Sequence, residues 1–381
     1  MRVLLFEPRI EGHHLPWTGV MATAMLDHGH EVILAHGSAP QQKQRLSESF
    51  PGLADRLEWL PIQHEGRFDG GSALAALDQA NRNINPERVM VANLDEFASN
   101  LFRSAALFGN LPASLRGKLR GIYIRPRPLD PTQAGLGNRL KRRGYRRLCA
   151  ANAFAGLGIL DEFLVETLRG KGFGPPLTWI PDFWHPMPPA DREESRTRFK
   201  VPANRTALLM AGVPHRRKGL DLAVEAMSHV RNESAMLLIA GRQVAEFADM
   251  PKLQSLVTAG RAVVHDRHLT DHELAMAFAA CDRVLLPYRS HYGSSGILST
   301  AAAMSKPVIA SDFHLIGRRV TDHALGVTHA NEDARSLATA IDASAEAGSA
   351  ELESWRSGLE DWQRRTSPKA FSRAVLELLG D

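Results

Sequence analysis

Short apolar runs typical of β-strands alternate with helical patterns along the whole sequence. The first run, at residues 2–6, is followed by a helical pattern at 17–28 that ends at Gly29, and a second run, at 31–35, follows directly. Further strands are predicted at 88–92, 121–124, 156–160 and 177–180. Strands that alternate with helices in this way form parallel sheets covered by helices. The sequence therefore predicts an α/β fold.

Four prolines in nine residues, at 181–189, divide this series in two. Proline cannot continue a helix or occupy a central strand, so the segment is predicted to be a linker. A second series follows, with strands predicted at 206–211, 236–240, 262–265, 284–286 and 308–310 and helices at 220–230, 271–280 and 297–304. We expect two Rossmann-like parallel-sheet domains, 1–183 and 184–367, with a C-terminal helix at 368–381 packed back on the first.

Composition excludes several classes of protein. Hydrophobic residues make up 44% of the chain and charged residues 23%, which is typical of a well-packed soluble protein. The longest apolar runs are far short of a membrane span, and the N-terminal MRVLLFEP leads straight into a polar loop, unlike a signal peptide. Cys149 and Cys281 lack the spacing of metal ligands and are expected to be reduced thiols. We expect a cytoplasmic protein with no metal site.

The segment at 282–312, DRVLLPYRSHYGSSGILSTAAAMSKPVIASD, has the pattern of a phosphate-binding site. Two strand-like runs enclose a turn rich in glycine and serine and a helix made of small residues. A helix N-terminus presents unpaired amides with partial positive charge, and glycines let an anion approach the backbone closely. We predict that a phosphorylated ligand binds at this turn, through Gly293, Ser294, Ser295, Gly296 and Ile297.

Two other turns of the second half extend this pattern. Gly212 follows one strand and leads to Arg216, Arg217 and Lys218 at the start of a helix, while Gly241 follows the next strand. Cations at such a turn neutralise a diphosphate. The turn after the first strand of the chain, in contrast, lacks G-x-G-x-x-G, and no G-x-x-x-x-G-K-[ST] occurs. A nicotinamide or flavin enzyme and a P-loop NTPase are therefore not expected.

These segments, in this order and spacing, resemble the second domain of the group-1 family of GT-B-fold glycosyltransferases. Members carry a G-R-x-x-x-x-K-G turn, a glycine turn, an E-x7-E block and a G-x-P-V-I-A-S strand; Lys218-Gly219 matches K-G, and residues 307–311 match P-V-I-A-S. The resemblance covers 208–327. It implies two domains that face a cleft, and transfer of a sugar from a nucleotide-diphosphate sugar, with retention of configuration and without a metal or other cofactor.

The sequence departs from the family pattern at the two glutamates, which fall at Tyr292 and Thr300. In the family the first glutamate contacts the donor sugar and the second holds the ribose, and the Tyr292 phenol and Thr300 hydroxyl still offer hydrogen bonds. The arginine of the basic turn falls at Val213. We predict an active variant, because the phosphate-binding residues remain. The alternatives are a non-catalytic protein that binds a sugar nucleotide or a partner, and a sugar-nucleotide epimerase.

The loop after the first strand contains Gly12, His13 and His14, which the resemblance places near the donor phosphate and the acceptor. A neutral imidazole can accept the proton of an acceptor hydroxyl, so both histidines are candidate catalytic residues alongside Lys218. The alternative is that one of them only starts the helix. The expected partners are the nucleotide sugar and an acceptor, which is a glycan, a lipid-linked sugar or a small molecule.

Carboxylates also follow two other strands of the first half. Asp95 and Glu96 follow the run at 88–92, and Asp161 and Glu162 follow the run at 156–160. Such residues bind acceptor hydroxyls or cap the next helix. Capping is predicted for Asp161, and both roles stay open for Asp95. Two arginines further along the chain are candidates either for an anionic acceptor or for surface charge, namely Arg125 and Arg127.

A basic segment lies between Arg116 and Arg147, with eleven lysines and arginines against one acid, Asp130. Its part at 139–147 carries six of these bases, and Leu136, Leu140 and Leu148 recur at helical spacing in and beside it. The resemblance implies that such a patch contacts a membrane peripherally, and a solvated charged face is the alternative. Few aromatic residues lie among the bases, so a nucleic acid partner is not expected.

Overall fold

The structure is a computed structural model, which describes residues 1–10, 14–37, 41–62, 70–109, 113–169, 171, 174–213, 216–242 and 250–381. These residues form two compact units, Met1–Pro181 with Pro368–Asp381, and Asp182–Ser367. The chain passes from the first unit to the second within the proline-rich segment, two residues before the predicted boundary. It returns to the first unit for its last helix.

The first unit is built on a parallel sheet of seven strands, ordered β3-β2-β1-β4-β5-β6-β7. In chain order these are β1 (Arg2–Phe6), β2 (Glu31–Gly37), β3 (Glu58–Ile62), β4 (Arg88–Val91), β5 (Leu119–Tyr123), β6 (Phe154–Ile159) and β7 (Leu177–Trp179). Its helices are α1 (His14–Asp27), α2 (Gln41–Ser49), α3 (Leu53–Arg56), α4 (Gly70–Ile84), α5 (Asp95–Phe108), α6 (Leu136–Ala150) and α7 (Glu162–Arg169).

The second unit is built on a parallel sheet of six strands, ordered β10-β9-β8-β11-β12-β13. These are β8 (Thr206–Ala211), β9 (Ala235–Ala240), β10 (Ala262–His265), β11 (Arg283–Leu286), β12 (Val308–Ser311) and β13 (Gly326–His329). The helices are α8 (Arg192–Arg198), α9 (Leu220–Ala226), α10 (Pro251–Thr258), α11 (Asp271–Ala280), α12 (Gly296–Ala303), α13 (His314–Asp322), α14 (Ala334–Glu346) and α15 (Ser349–Arg365). Every residue of β9 is buried, as expected for a parallel sheet covered on both faces.

The last helix, α16 (Pro368–Leu379), packs on the first unit. The Phe371 ring lies 5.1 Å from the Trp17 ring of α1, centroid to centroid. The Arg120 guanidinium, on β5, donates to the Leu378 carbonyl at 3.0 Å. These contacts explain why the chain terminus is part of the first unit and not of the second.

The structure differs from the sequence prediction at one edge of each sheet and at several helix ends, including that of the first helix, which begins at His14 and not at residue 17. Strands β3 and β13 were not predicted, and both are edge strands. β3 contains Pro61, and β13 is short and only partly buried, so neither shows the continuous apolar run of a central strand. The helix predicted at 220–230 is too long: α9 ends at Ala226, and the Ser228 hydroxyl donates to the Glu225 carbonyl and competes with the helical hydrogen bonds.

None of the helices in the described ranges combines the length and the apolarity that crossing a membrane requires.

Candidate functional site

The second sheet reverses its strand order between β8 and β11. The chain runs outward from β8 to β9 and β10 on one side, and from β11 to β12 and β13 on the other. β8 and β11 pair directly, with Leu209 opposite Val284. Ligands of open α/β sheets bind at such a reversal, beyond the carboxyl ends of the strands. The basic turn follows β8 and the glycine- and serine-rich loop follows β11, so the fold brings the two predicted phosphate-binding segments to one place.

The basic turn is in direct contact with the chain that leaves β11. The amide of Arg289 donates to the carbonyl of Arg217 at 2.8 Å. Gly219 has a φ of +71°, and a Cβ built on it would lie 2.0 Å from the carbonyl oxygen of Pro287. Only glycine therefore fits at this position, directly after Lys218.

Tyr288 connects this contact to the glycine- and serine-rich loop. Its side chain is buried, and its hydroxyl lies 3.4 Å from the Ser295 hydroxyl. Ser295 precedes the first residue of α12. The basic turn, Tyr288 and the N-terminus of α12 thus form one contiguous group.

Gly212 and Gly241 end the neighbouring strands β8 and β9 with positive φ angles of +83° and +144°. A Cβ on Gly241 would lie 2.6 Å from the carbonyl carbon of Gly212. A Cβ on Gly212 would lie 2.9 Å from the Lys218 ammonium. Backbone packing alone therefore requires glycine at Gly241, and contact of either glycine with a ligand stays a prediction.

Lys218 is half-buried at the carboxyl end of β8, where its ammonium donates to the Ala211 carbonyl at 3.3 Å. Burial, and then the charge of Arg217, lower its pKa. Arg216 and Arg217 are exposed in the same 3-10 turn, Arg216–Lys218. Three cationic side chains thus lie at the carboxyl end of β8, and such a group can neutralise a diphosphate.

The first turn of α12 has the properties of an anion site. Gly296 is exposed, and the Ser295 side chain makes no capping hydrogen bond to the helix. A Cβ on Gly293 would lie 3.6 Å from the nearest atom of His291, and one on Gly296 would lie 3.8 Å from Asp182, both ordinary contact distances. Packing therefore does not require glycine at Gly293 and Gly296, whereas it does at Gly219. We interpret these two glycines as positions at which a ligand approaches the backbone closely.

The two positions at which the sequence resemblance places the family's glutamates, Tyr292 and Thr300, carry no charge. Tyr292 is buried, and its ring centroid lies 4.3 Å from that of His314. The Thr300 hydroxyl donates to the Gly296 carbonyl at 2.9 Å, within α12. A ribose bound at Thr300 would therefore meet an oxygen acceptor there, because the hydroxyl proton is already used.

In the first unit the structure describes one of the two candidate histidines. Gly12 and His13 lie outside the described residues, and His14 is the first residue of α1. Its Nδ1 lies 3.1 Å from a carboxylate oxygen of the buried residue Glu7. Burial lowers the pKa of His14, but the hydrogen bond and charge of Glu7 outweigh it, so the pKa is raised. The Glu7 carboxylate thus orients the His14 imidazole and stabilises its charged form.

The carboxylates after β4 and β6 bind backbone amides. Asp95 accepts hydrogen bonds from the amides of Ile124 and Arg125, at 2.7 and 3.1 Å, and so fixes the loop after β5. Its burial raises its pKa to about 6. Asp161 accepts the Leu164 amide at 2.9 Å, which confirms the predicted capping of α7. Neither carboxylate needs an acceptor to explain its position.

The basic patch on α6 divides into structural and exposed side chains. Arg142 donates to the carbonyls of Pro128 and Asp130, at 2.8 and 2.6 Å, and Arg147 donates to the carbonyl of Ala106. The first residue of α6, Leu136, is 82% exposed. The remaining arginines of the patch are exposed, namely Arg139, Arg143 and Arg146.

One group in the described part of the chain has metal-ligand spacing, and it lies in the first unit. It consists of His28, His30 and Asp381, whose potential ligand atoms lie within 4.8 Å of one another. Nε2 of His30 already pairs with the Asp381 carboxylate at 2.5 Å. None of these three residues is among those predicted to bind the nucleotide sugar. That the nucleotide sugar binds without a metal stays a prediction.

Sequence reasoning missed Glu7, Tyr288, Asp182 and Arg319. Arg319 was detectable, since it follows Ile316 by three residues and Leu315 by four and so lies on the buried face of α13. Glu7 ends the first strand, at the edge where sites form, which is a weaker signal. Nothing in the pattern around Asp182 distinguishes it from an ordinary linker residue.

Comparison with known proteins finds a family model that matches part of the second unit. Residues 205–346 match the family model described as glycosyl transferases group 1. The D-inositol 3-phosphate glycosyltransferase of Arthrobacter sp. (strain FB24) is 28% identical over 161 residues. That alignment covers 41% of this chain and only 38% of the relative.

Solved structures share the fold of the whole chain. A glycosyltransferase from Rickettsia africae superposes with a TM-score of 0.70 at 14% identity, over 99% of this chain and 97% of that one. Anabaena HepE, solved in complex with UDP, superposes with a TM-score of 0.69 at 14% identity, over 100% of both chains. Both the fold and the matched segment agree with the resemblance seen in the sequence. Residues 205–346 thus match the glycosyl transferases group 1 family model, within a chain of the GT-B fold.

Proposed function

We propose that the protein is a glycosyltransferase that moves a sugar from a nucleotide-diphosphate sugar to an acceptor. The observation that carries the proposal is the meeting of the Lys218 turn with the N-terminus of α12 at the strand-order reversal, inside the segment that matches the family. HepE, which shares the fold, binds UDP. A uridine diphosphate is therefore the first donor fragment to test.

In this proposal Arg216, Arg217 and Lys218 neutralise the donor diphosphate together with the amides at the start of α12. Departure of the nucleotide leaves negative charge on the diphosphate, and preorganised cations and helix amides stabilise that charge in the transition state. The same groups supply the stabilisation that a bound metal supplies elsewhere, so we propose that transfer is metal-independent. Retention of the anomeric configuration is proposed from the family alone.

The donor sugar and ribose would be held by Tyr292 and Thr300 through neutral hydrogen bonds. A neutral acceptor binds a sugar hydroxyl less tightly than a carboxylate does. We therefore expect the protein to bind the sugar part of the donor less tightly than the diphosphate part. The acceptor would bind at the loop containing Gly12, His13 and His14, where Glu7 orients the His14 imidazole.

Two alternatives rest on the replaced glutamates. A non-catalytic binding protein would keep the diphosphate site and lose transfer. A sugar-nucleotide epimerase would need acid and base groups at the sugar, and Tyr292 and Thr300 offer no carboxylate there. The transferase is favoured because it accounts for both the diphosphate site and the family match.

The test is a screen of nucleotide sugars for binding, slow hydrolysis and transfer, with UDP as reference ligand and with a chelator arm. Binding with hydrolysis or transfer that resists the chelator is expected, and NMR of the product anomer reports the stereochemistry. Binding without turnover by any donor would support the non-catalytic alternative. Failure to bind any nucleoside diphosphate would refute the donor site.

Gly219→Ala should weaken UDP binding at least about tenfold, because the new Cβ would force the Pro287 carbonyl and the adjacent Lys218 apart. Gly260→Ala is the matched control. Gly260 has a similar φ of +64°, but the nearest atom to its Cβ would be 4.0 Å away, on the Arg205 side chain. Isothermal titration should show near-normal UDP affinity for this control. An equal loss of UDP affinity in both variants would show that strain from a side chain at a positive φ angle, and not displacement of the Lys218 turn, is the cause.

For membrane contact, proposed here from the family, the variant Arg139→Gln/Arg143→Gln/Arg146→Gln should reduce binding to anionic vesicles at least about tenfold. These three arginines are exposed, so folding should be unaffected. Sedimentation with vesicles that contain phosphatidylserine measures the effect. Neutral vesicles are the control, and undiminished binding by the variant would exclude the patch.

A further inference from the structure

A group of charged and polar side chains lies behind the first turn of α12. Arg319, on α13, is 1% exposed, and its guanidinium donates to the Ser294 hydroxyl. The same guanidinium lies 5.1 Å from the centroid of the Trp362 ring. Ser294 belongs to the loop that the proposed donor site uses, so a fully buried positive charge is attached to the phosphate-binding loop.

Asp182 brings a carboxyl group to the same place, where the Arg319 charge favours its ionised form. A Cβ on Gly296, the first residue of α12, would lie 3.8 Å from a carboxylate oxygen of Asp182. Burial raises the pKa of Asp182, and the Ser294 hydroxyl and the Arg319 charge act against it. Asp182 and Arg319 therefore both interact with Ser294, within reach of the helix start.

These two charges act in opposite directions on an anion bound at α12. A cation a few ångströms away attracts a diphosphate and a carboxylate repels it, by amounts that grow as water is excluded. A carboxylate beside a helix N-terminus is also stabilised by the helix dipole and so competes with a phosphate for the same field. A transferase has to release its nucleoside diphosphate after each turnover, and very tight binding would delay that step.

We propose that Asp182, Ser294 and Arg319 form a charge group that sets the affinity of the α12 N-terminus for the donor diphosphate. Arg319 strengthens binding through its charge and by holding Ser294, and Asp182 weakens it so that the product leaves. The inference rests on the proposed donor site. Asp182 and Arg319 are positioning residues, since each acts on the ligand through the loop and its field, whereas Ser294 belongs to the loop itself.

A purely structural role predicts something different. If the group only held α13 and the loop in place, removal of either charge would loosen the loop, and both variants would bind UDP less tightly. Opposite effects from the two ends of one ion group are expected only if the group acts electrostatically on the bound anion. The sign of the Asp182 effect is therefore the decisive readout.

The test is isothermal titration with UDP at low and high salt. Asp182→Asn keeps an oxygen that can accept from Ser294 and should lower the Kd about three- to tenfold, and Arg319→Gln should raise it about tenfold or more. Arg319→Lys keeps the charge and should fall between Arg319→Gln and the wild type. Asp322→Asn, an equal charge change at the exposed end of α13, should leave the Kd unchanged.

Thermal unfolding of each variant separates loss of fold from loss of charge. A Kd that rises in Asp182→Asn, or that does not change in any variant, would overturn the inference while leaving the donor site intact. Wild-type protein that binds no UDP would overturn the donor site and this inference together. A high rate of UDP release in Asp182→Asn would also contradict it, since slower release is expected.

Discussion

Lys218→Ala should weaken UDP binding about tenfold to a hundredfold and slow sugar transfer by about a hundredfold or more. The ammonium lies at the strand-order reversal, where it donates to the Ala211 carbonyl, and negative charge on the diphosphate increases as the sugar leaves. Its loss should therefore cost more in the transition state than in the bound ground state. Titration with UDP measures the first effect, and kcat at saturating donor measures the second.

Lys252→Ala is the control for this charge change. Lys252 belongs to the same unit, but it is exposed and pairs with Glu225 on the helix surface. It should change neither UDP affinity nor kcat. A Lys218→Ala variant that binds UDP as tightly as wild type would remove the lysine from the donor site, and an equal fall in both lysine variants would point to net charge alone.

Gly144→Ala should lower the unfolding stability of the first unit by about 2–4 kcal/mol. Gly144 lies on α6 where the helix packs against α5, and a Cβ there would lie 1.7 Å from the Phe102 carbonyl oxygen and 2.9 Å from the Ala106 nitrogen. Both are backbone atoms, so no side-chain rotation can relieve the clash, and the helices must separate. Thermal and urea unfolding midpoints measure the loss.

Gly137→Ala tests the same substitution seven residues earlier in α6. No atom lies within 4 Å of its Cβ position, and the change should stabilise the helix by roughly 0.5–1 kcal/mol, since alanine is the better helix former. The two variants should thus shift the midpoint in opposite directions. A small, equal effect of both would contradict the close packing of α5 and α6.

Central strands were predictable because their sequences are continuous apolar runs, as in β8 and β9. The edge strands β3 and β13 were not, because a strand with one open edge can carry proline or polar residues without exposing a core. The glycine turns were also visible in the sequence. The sequence did not show why glycine occupies each of these positions. Backbone packing requires glycine at Gly219 and Gly241, whereas Gly293 and Gly296 have room for a Cβ atom.

In the first unit, too, local contacts were predictable from the sequence and long-range contacts were not. The sequence indicated that Asp161 would cap a helix, because capping depends on residues three positions apart. It left Asp95 undecided, since the partners of that carboxylate are the amides of Ile124 and Arg125, about thirty residues away along the chain. The partner of His14, Glu7, was likewise not indicated by any local pattern.

By itself the sequence determined the α/β class, the proline linker and the order of the phosphate-binding segments, since each depends on neighbours within a few residues. Only the tertiary structure decided which segments meet. Strand order placed the Lys218 turn beside α12, and the packing of α13 placed Arg319 behind Ser294 with Asp182 close by. The physical reason is that local propensity acts through short-range backbone geometry, whereas buried charges are selected by contacts between residues far apart in the chain.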